Sequence, residues 1–259
     1  MGKYEKQTPK KKKNPAAKLV PVIVVVLVLL LALIIAVVIE IQKIPELEIP
    51  QDTNPSVQPE ATIPDVDVEA QTDEPVRLNG KLQIRRIANY AGIYMEDGTD
   101  ESVSNVLMII LENTSEQDLQ LARVNVVYED FTAEFEVTNL PAGESAVALE
   151  KNRLSTPQEE YQSINVQNVV FFEEKMTLLE DKFEIIGGDG YLEVKNISGE
   201  EITGEIYIYY KNSSVDLLYG GITYRASIRE RLKAGETIRT LTEHYSEGNS
   251  RIVHVTCGG

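Results

Sequence analysis

The 259 residues carry 41 acidic against 25 basic side chains, a net charge of −16, with 42% apolar residues, no tryptophan and one cysteine. So acidic a balance excludes a general nucleic-acid binder, and a single cysteine excludes an internal disulfide framework, so a folded part must rest on its own apolar core. With only His244 and His254 present there is no H-E-x-x-H zinc motif, and no G-x-S-x-G elbow, P-loop or dinucleotide fingerprint occurs; the chain reads as non-enzymatic, with no cofactor and no metal site.

Residues 1–18 hold seven lysines and one glutamate, a charge of +6; the remaining 18 basic and 40 acidic residues leave −22 for the rest. Residues 19–39, LVPVIVVVLVLLLALIIAVVI, form an unbroken apolar run. As a helix it is about 31 Å long, the thickness of a bilayer's hydrocarbon core. A cleaved signal peptide is the competing reading, but the apolar run exceeds the usual core and Val37, Val38 and Ile39 stand where small residues are needed for cleavage. Lysines before the run and only Lys43 soon after it set the N-terminus in the cytoplasm, so the expectation is a single-pass, type II plasma-membrane protein with its C-terminal part outside.

From residue 40 to 80 the composition turns to Pro and acid, with Pro45, Pro50, Pro55, Pro59, Pro64 and Pro75 among Asp and Glu. Each proline removes a backbone donor and the acids repel one another, which predicts a disordered, extended linker reaching between about 35 Å and about 120 Å.

Beyond Gly80 the pattern is period-two alternation. It predicts strands at 106–111, 123–128, 133–137, 166–172, 191–194, 205–210, 222–229 and 251–256, with a short helical turn near Thr156–Tyr161. Segments recur in order. Asn113-Thr-Ser-Glu-Gln-Asp-Leu119 returns as Asn196-Ile-Ser-Gly-Glu-Glu-Ile202, and Leu140-Pro-Ala-Gly-Glu-Ser145 as Leu232-Lys-Ala-Gly-Glu-Thr237. Val124–Tyr128 corresponds to Ile206–Tyr210, and Val169–Phe172 to Ile252–Val255. The expectation is an all-β body of two homologous modules, 81–174 and 175–257, the second with a longer connection after its Tyr210 strand.

A strand ending in Asn-x-Ser, a polar turn, an alternating strand with a terminal Tyr and a Leu-x-Ala-Gly-Glu turn resembles the small immunoglobulin-like modules of bacterial surface proteins, of the FxLYD or CARDB-like type. The likeness covers most of residues 100–257. It departs from the FxLYD type in that Asp130 is followed by no glycine over Phe131–Glu134. The resemblance implies a β-sandwich and an adhesive or assembly role, and names no ligand.

In the repeat, Val124, Val126 and Tyr128 share an inward phase with Ile206, Ile208 and Tyr210. Tyr207 and Tyr209 then face outward where the first module has Asn125 and Val127, and Arg225 and Arg229 lie on the matching face of the next strand; together they form a candidate binding patch, against ordinary cross-strand pairing as the bland alternative. Met108 and Ile110 are an apolar pair facing away from the core, to be covered by the other module or by a partner. The acids Glu96, Asp97, Asp100 and Glu101 around Gly98 lack EF-hand spacing and read as a solvated hairpin tip. Asn113, Asn196 and Asn212 begin N-x-[ST] sequons, for which turn chemistry is preferred over glycosylation. The expected partners are the lipid bilayer, through 19–39, and a protein of the cell envelope, with no nucleic acid. The function expected is non-catalytic binding or scaffolding; the alternative is an accessory or sensing subunit of a membrane complex such as a transporter or signalling system.

Overall fold

Alternating apolar residues give a long ladder of strands in the computed structural model, which describes residues 74–155, 157 and 159–258. The basic tail, the apolar run and the linker up to residue 73 lie outside the described residues. In order come β1 (Val76–Arg77), β2 (Leu82–Ile93), β3 (Ser102–Asn113), β4 (Leu119–Val127), β5 (Thr132–Leu140), β6 (Ser145–Leu149) and β7 (Ser163–Phe171). Then follow β8 (Phe183–Gly188), β9 (Tyr191–Asn196), β10 (Ile206–Ser214), β11 (Leu217–Ile228), β12 (Thr237–Leu241) and β13 (Ser250–Cys257). The fold is all-β, with several sheets. Pro157 and residues 159–161 are not helical, a correction to the helical turn expected there.

β2, β3 and β6 pair side by side, and β5-β4-β7 form a separate three-stranded sheet. The C-terminal half has the same pairing order: β8-β9-β12 is one three-stranded sheet, and β11-β10-β13 match β5-β4-β7. The halves are joined at strand edges, because β6 pairs with β11 in parallel, Leu218 opposite Ala146 and Tyr219 opposite Val147. The result is one seven-stranded sheet, β1-β2-β3-β6-β11-β10-β13. β6, sequence SAVAL, is buried at every position, since it is paired along both edges and covered on both faces. No longer connection follows Tyr210: β10 runs on to Ser214 and turns directly into β11, so the extra residues lengthen the hairpin.

The inward phase of the repeat is as expected. Val124, Val126, Ile206 and Ile208 are fully buried, and Tyr128 and Tyr210 nearly so. Leu111, Val124, Phe135 and Val137 belong to the core of the first half; Leu192, Val194, Ile208 and Ile228 to that of the second.

The two repeated asparagines hold equivalent turns. Asn113 Nδ2 donates to the carbonyls of Gln117 (2.8 Å) and Leu140 (3.1 Å), while its Oδ1 accepts from Ser115 N and Oγ. Asn196 does the same with Glu200 (2.6 Å), Leu232 (2.9 Å) and Ser198. Both side chains are fully buried, which favours turn chemistry over glycan attachment at these positions. Asn196→Ala orphans several buried groups at once and is expected to cost about 2–3 kcal/mol of stability, read as a lower urea midpoint with an unchanged slope.

Candidate functional site

The joint between the halves is built around a fully buried lysine and a partly buried glutamate. Lys211, on β10, is fully buried, and its Nζ donates to the carbonyls of Gly220 (2.9 Å), Gly221 (2.7 Å) and Ile222 (2.7 Å). Glu96, in the β2–β3 hairpin, accepts from the N–H groups of Leu149 (2.9 Å), Gly221 (2.8 Å) and Ile222 (3.0 Å). The peptide units 220–221 and 221–222 therefore point their carbonyls at the ammonium and their N–H groups at the carboxylate. Two backbone dipoles bridge cation and anion, each charge meeting three hydrogen-bond partners. Burial pulls the Lys211 pKa down to about 7, with the Glu96 charge working against it. Burial likewise raises Glu96, while its backbone donors pull the other way.

Glycine makes this arrangement possible. Gly220 sits at φ 87°, and a Cβ on Gly221 would collide with the Glu136 carbonyl oxygen and press on Ala148. The rest of the hairpin tip docks as well. Tyr224 donates from its hydroxyl to the Met95 carbonyl at 3.0 Å, and Asp100 pairs with His244 Nδ1 at 3.0 Å, where the imidazole stacks on Tyr224. Arg153 takes Asp97 (2.6 Å) and Glu101 (2.5 Å). Asp97, Asp100 and Glu101 stay exposed, as expected of a solvated tip, Asp97 and Glu101 sharing Arg153 and Asp100 meeting His244; only Glu96 departs from that expectation, turned inward onto the backbone of β6 and β11. Among the described residues no group of three His, Cys, Asp or Glu side chains is placed to hold a metal ion.

The residues singled out in the sequence fall on two faces of the long sheet. Tyr207 and Tyr209 are half-buried on the face of β10 opposite Ile206 and Ile208, Arg225 is exposed on the same face of β11, and Arg229 is exposed just past the end of that strand. Tyr209 stands opposite Arg225 in the ladder, and the Arg225 guanidinium lies 4.9 Å from the centre of the Tyr207 ring. The Tyr207 hydroxyl donates to Glu205, whose carboxylate also lies 3.8 Å from Arg229. Tyr209 diverges from this group: its ring stacks on His254 and packs against the core of the first half. Met108 and Ile110 are brought together elsewhere. Met108 is buried with Tyr90, Tyr94, Val147 and Leu149, and Ile110, Leu217 and Tyr219 pack against that cluster, so this chain supplies its own cover there.

A cleft of about 620 Å³ opens where the ends of β4, β5 and β7 meet the outer face of β10, β11 and β13. Tyr209, Phe172, His254 and Thr223 are among its walls. Thr138 and Thr223 hydroxyls bond across it at 2.9 Å, and Asp118 holds the connector between the halves through Met176 N–H at 2.6 Å. Sequence reasoning missed the Glu96–Lys211 joint and this cleft. The available signals were a lysine continuing an otherwise apolar strand after Tyr210 and the Gly220-Gly221 doublet opposite it. No protein-family model matches the chain, and no curated protein and no solved structure is significantly similar to it.

Proposed function

We propose that the chain is a single-pass membrane protein whose tail (1–18) lies in the cytoplasm, whose apolar run (19–39) crosses the bilayer, and whose linker (40–80) carries two immunoglobulin-like modules outside. Its task is non-catalytic binding or scaffolding at the cell envelope, with a protein partner met by the Tyr207, Arg225 and Arg229 face. The strand order is the observation that supports this best. β1, which lies near the end of the 40–80 segment, forms one edge of the seven-stranded sheet, while the face in question lies on β11-β10-β13 at the other. Six inter-strand spacings, about 29 Å, separate the two edges. The Arg–Tyr pairing on that face is of the kind enriched at interaction hot spots, and Arg225 makes no ion pair with a described residue.

Cross-linking on intact cells, followed by identification of the captured protein, tests the reading. The double variant Tyr207→Ser, Arg225→Ser is expected to lose the partner while melting within a few degrees of the wild type, since Arg225 is exposed and Tyr207 lies half-buried on the outer face, away from the core side of β10. Capture of the same partner by wild type and variant alike would remove this face from the account.

A further inference from the structure

The cleft between the halves differs from the rest of this acidic body in being electrically neutral. Of its ionisable linings, Glu136 is paired with Arg123 at 2.8 Å. Burial lowers the His254 pKa from its ordinary value, against its backbone bond to Thr177 and the Asp118 charge. Its floor is aromatic, with the His254 ring 5.4 Å from Phe172 and 5.8 Å from Tyr209. Around that floor Gln120, Asn139 and Thr256 line the cleft with side chains that form no hydrogen bond to any described residue. These are amides and a hydroxyl, able both to donate and to accept. Both walls are fixed in advance by the Thr138–Thr223 bond and the Asp118 hold on the connector, so little ordering remains for a ligand to impose.

We propose that this cleft binds a short neutral saccharide of one or two pyranose rings. A pyranose offers C–H groups on its faces and hydroxyls around its rim, which matches an aromatic floor within a ring of unspent amides and hydroxyls. The volume suits such a ligand, lying within the usual range of small-molecule sites. Absence of free charge selects against uronic or phosphorylated sugars, whose desolvation would go uncompensated. The inference goes beyond the envelope-binding reading and stands independently of the membrane topology.

The test titrates the full-length chain with cellobiose, maltose and the β-1,4-linked disaccharide of N-acetylglucosamine. A glucuronate-containing disaccharide and a neutral tetrapeptide serve as controls, with ligand-observed NMR and calorimetry as readouts. At least one neutral disaccharide is expected to bind with Kd of about 0.1–1 mM. Tyr209→Ala is expected to weaken it roughly tenfold by removing the floor, and Gln120→Ala roughly threefold. Gln120 is exposed and unpartnered, so its variant folds and decides the matter even if Tyr209→Ala disturbs packing. No binding of any neutral disaccharide up to about 20 mM, equal binding of either control, or binding untouched by Gln120→Ala would overturn the proposal. A protein captured on cells despite such a result would leave the envelope-binding reading standing and the saccharide site refuted.

Discussion

Glu96→Ala is expected to lower the unfolding free energy by about 4 kcal/mol and the melting temperature by about 10 °C, the largest effect of any single side-chain removal at the joint. The substitution leaves the Lys211 ammonium fully buried with no counter-charge, and strips the N–H groups of Leu149, Gly221 and Ile222 of their acceptor. Lys211→Met is expected to cost less, about 2 kcal/mol, because the carboxylate keeps all three backbone donors and the thioether fills the space of the lysine stem. The two losses should fall short of additive in the double variant by at least about 1 kcal/mol, since each removes the same pairing. Urea titrations of the four proteins supply the cycle. Strict additivity would show that the charges do not communicate through the peptide units between them.

The same lysine gives a pH signature. Burial brings its proton release in the folded chain to about 7, whereas the unfolded chain holds that proton until about 10.5. Between these values the unfolded chain binds more protons, so stability rises with pH. Tyrosines whose phenols are pushed up by burial, such as Tyr90 and Tyr94, each to about 12, reverse the trend above about pH 10, because there the unfolded chain ionises first. The rise is therefore read between about pH 7 and 9.5, and Lys211→Met is expected to flatten it.

Gly221→Ala is the second large effect, expected at about 3 kcal/mol or more. The added methyl meets the Glu136 carbonyl oxygen, a backbone atom of β5 that cannot swing aside, so relief requires the two halves to part. Two other glycines separate this cause from simple backbone strain. Gly143, at φ 76°, has open space where a Cβ would stand, and Gly143→Ala is expected to cost only about 1 kcal/mol. Gly220, at φ 87°, has the Met95 Cβ at 3.4 Å, an ordinary contact, and is expected to follow Gly143 more closely than Gly221. Thermal melts of the three variants measure the difference. Equal shifts would mean that the close approach of β5 to β11 does not exist in solution.

What could be read in advance depended on whether a residue's neighbours were local. β4 and β10 were legible because each buries one face only, so Val124, Val126, Ile206 and Ile208 keep a period of two. Asn113 and Asn196 were legible because their partners lie in their own turns and in the Leu140 and Leu232 turns, which recur with them. β6 was missed for the opposite reason: with both faces covered, SAVAL shows no alternation to find. β8 and β12 were missed because they are short strands in which apolar residues also occupy exposed positions, Ile186 and Leu241 among them, which blurs the alternation. Glu96 looked like one turn acid among four. Its partners lie on β6 and β11, and the parallel pairing that brings those strands together leaves no trace in either segment alone. Tyr207 and Arg225 were placed on a shared face by alternation, but the turn of Tyr209 toward His254 reflects the meeting of the two halves, which periodicity does not encode.

The central claim is that the β body stands outside the membrane while the lysine-rich tail stays within. Protease added to intact cells tests it most directly. Cutting in the linker is expected to release residues 74–258 into the medium as a stable fragment while the tail remains protected with the cells. A body left cell-bound and intact, with the tail removed, would contradict the account.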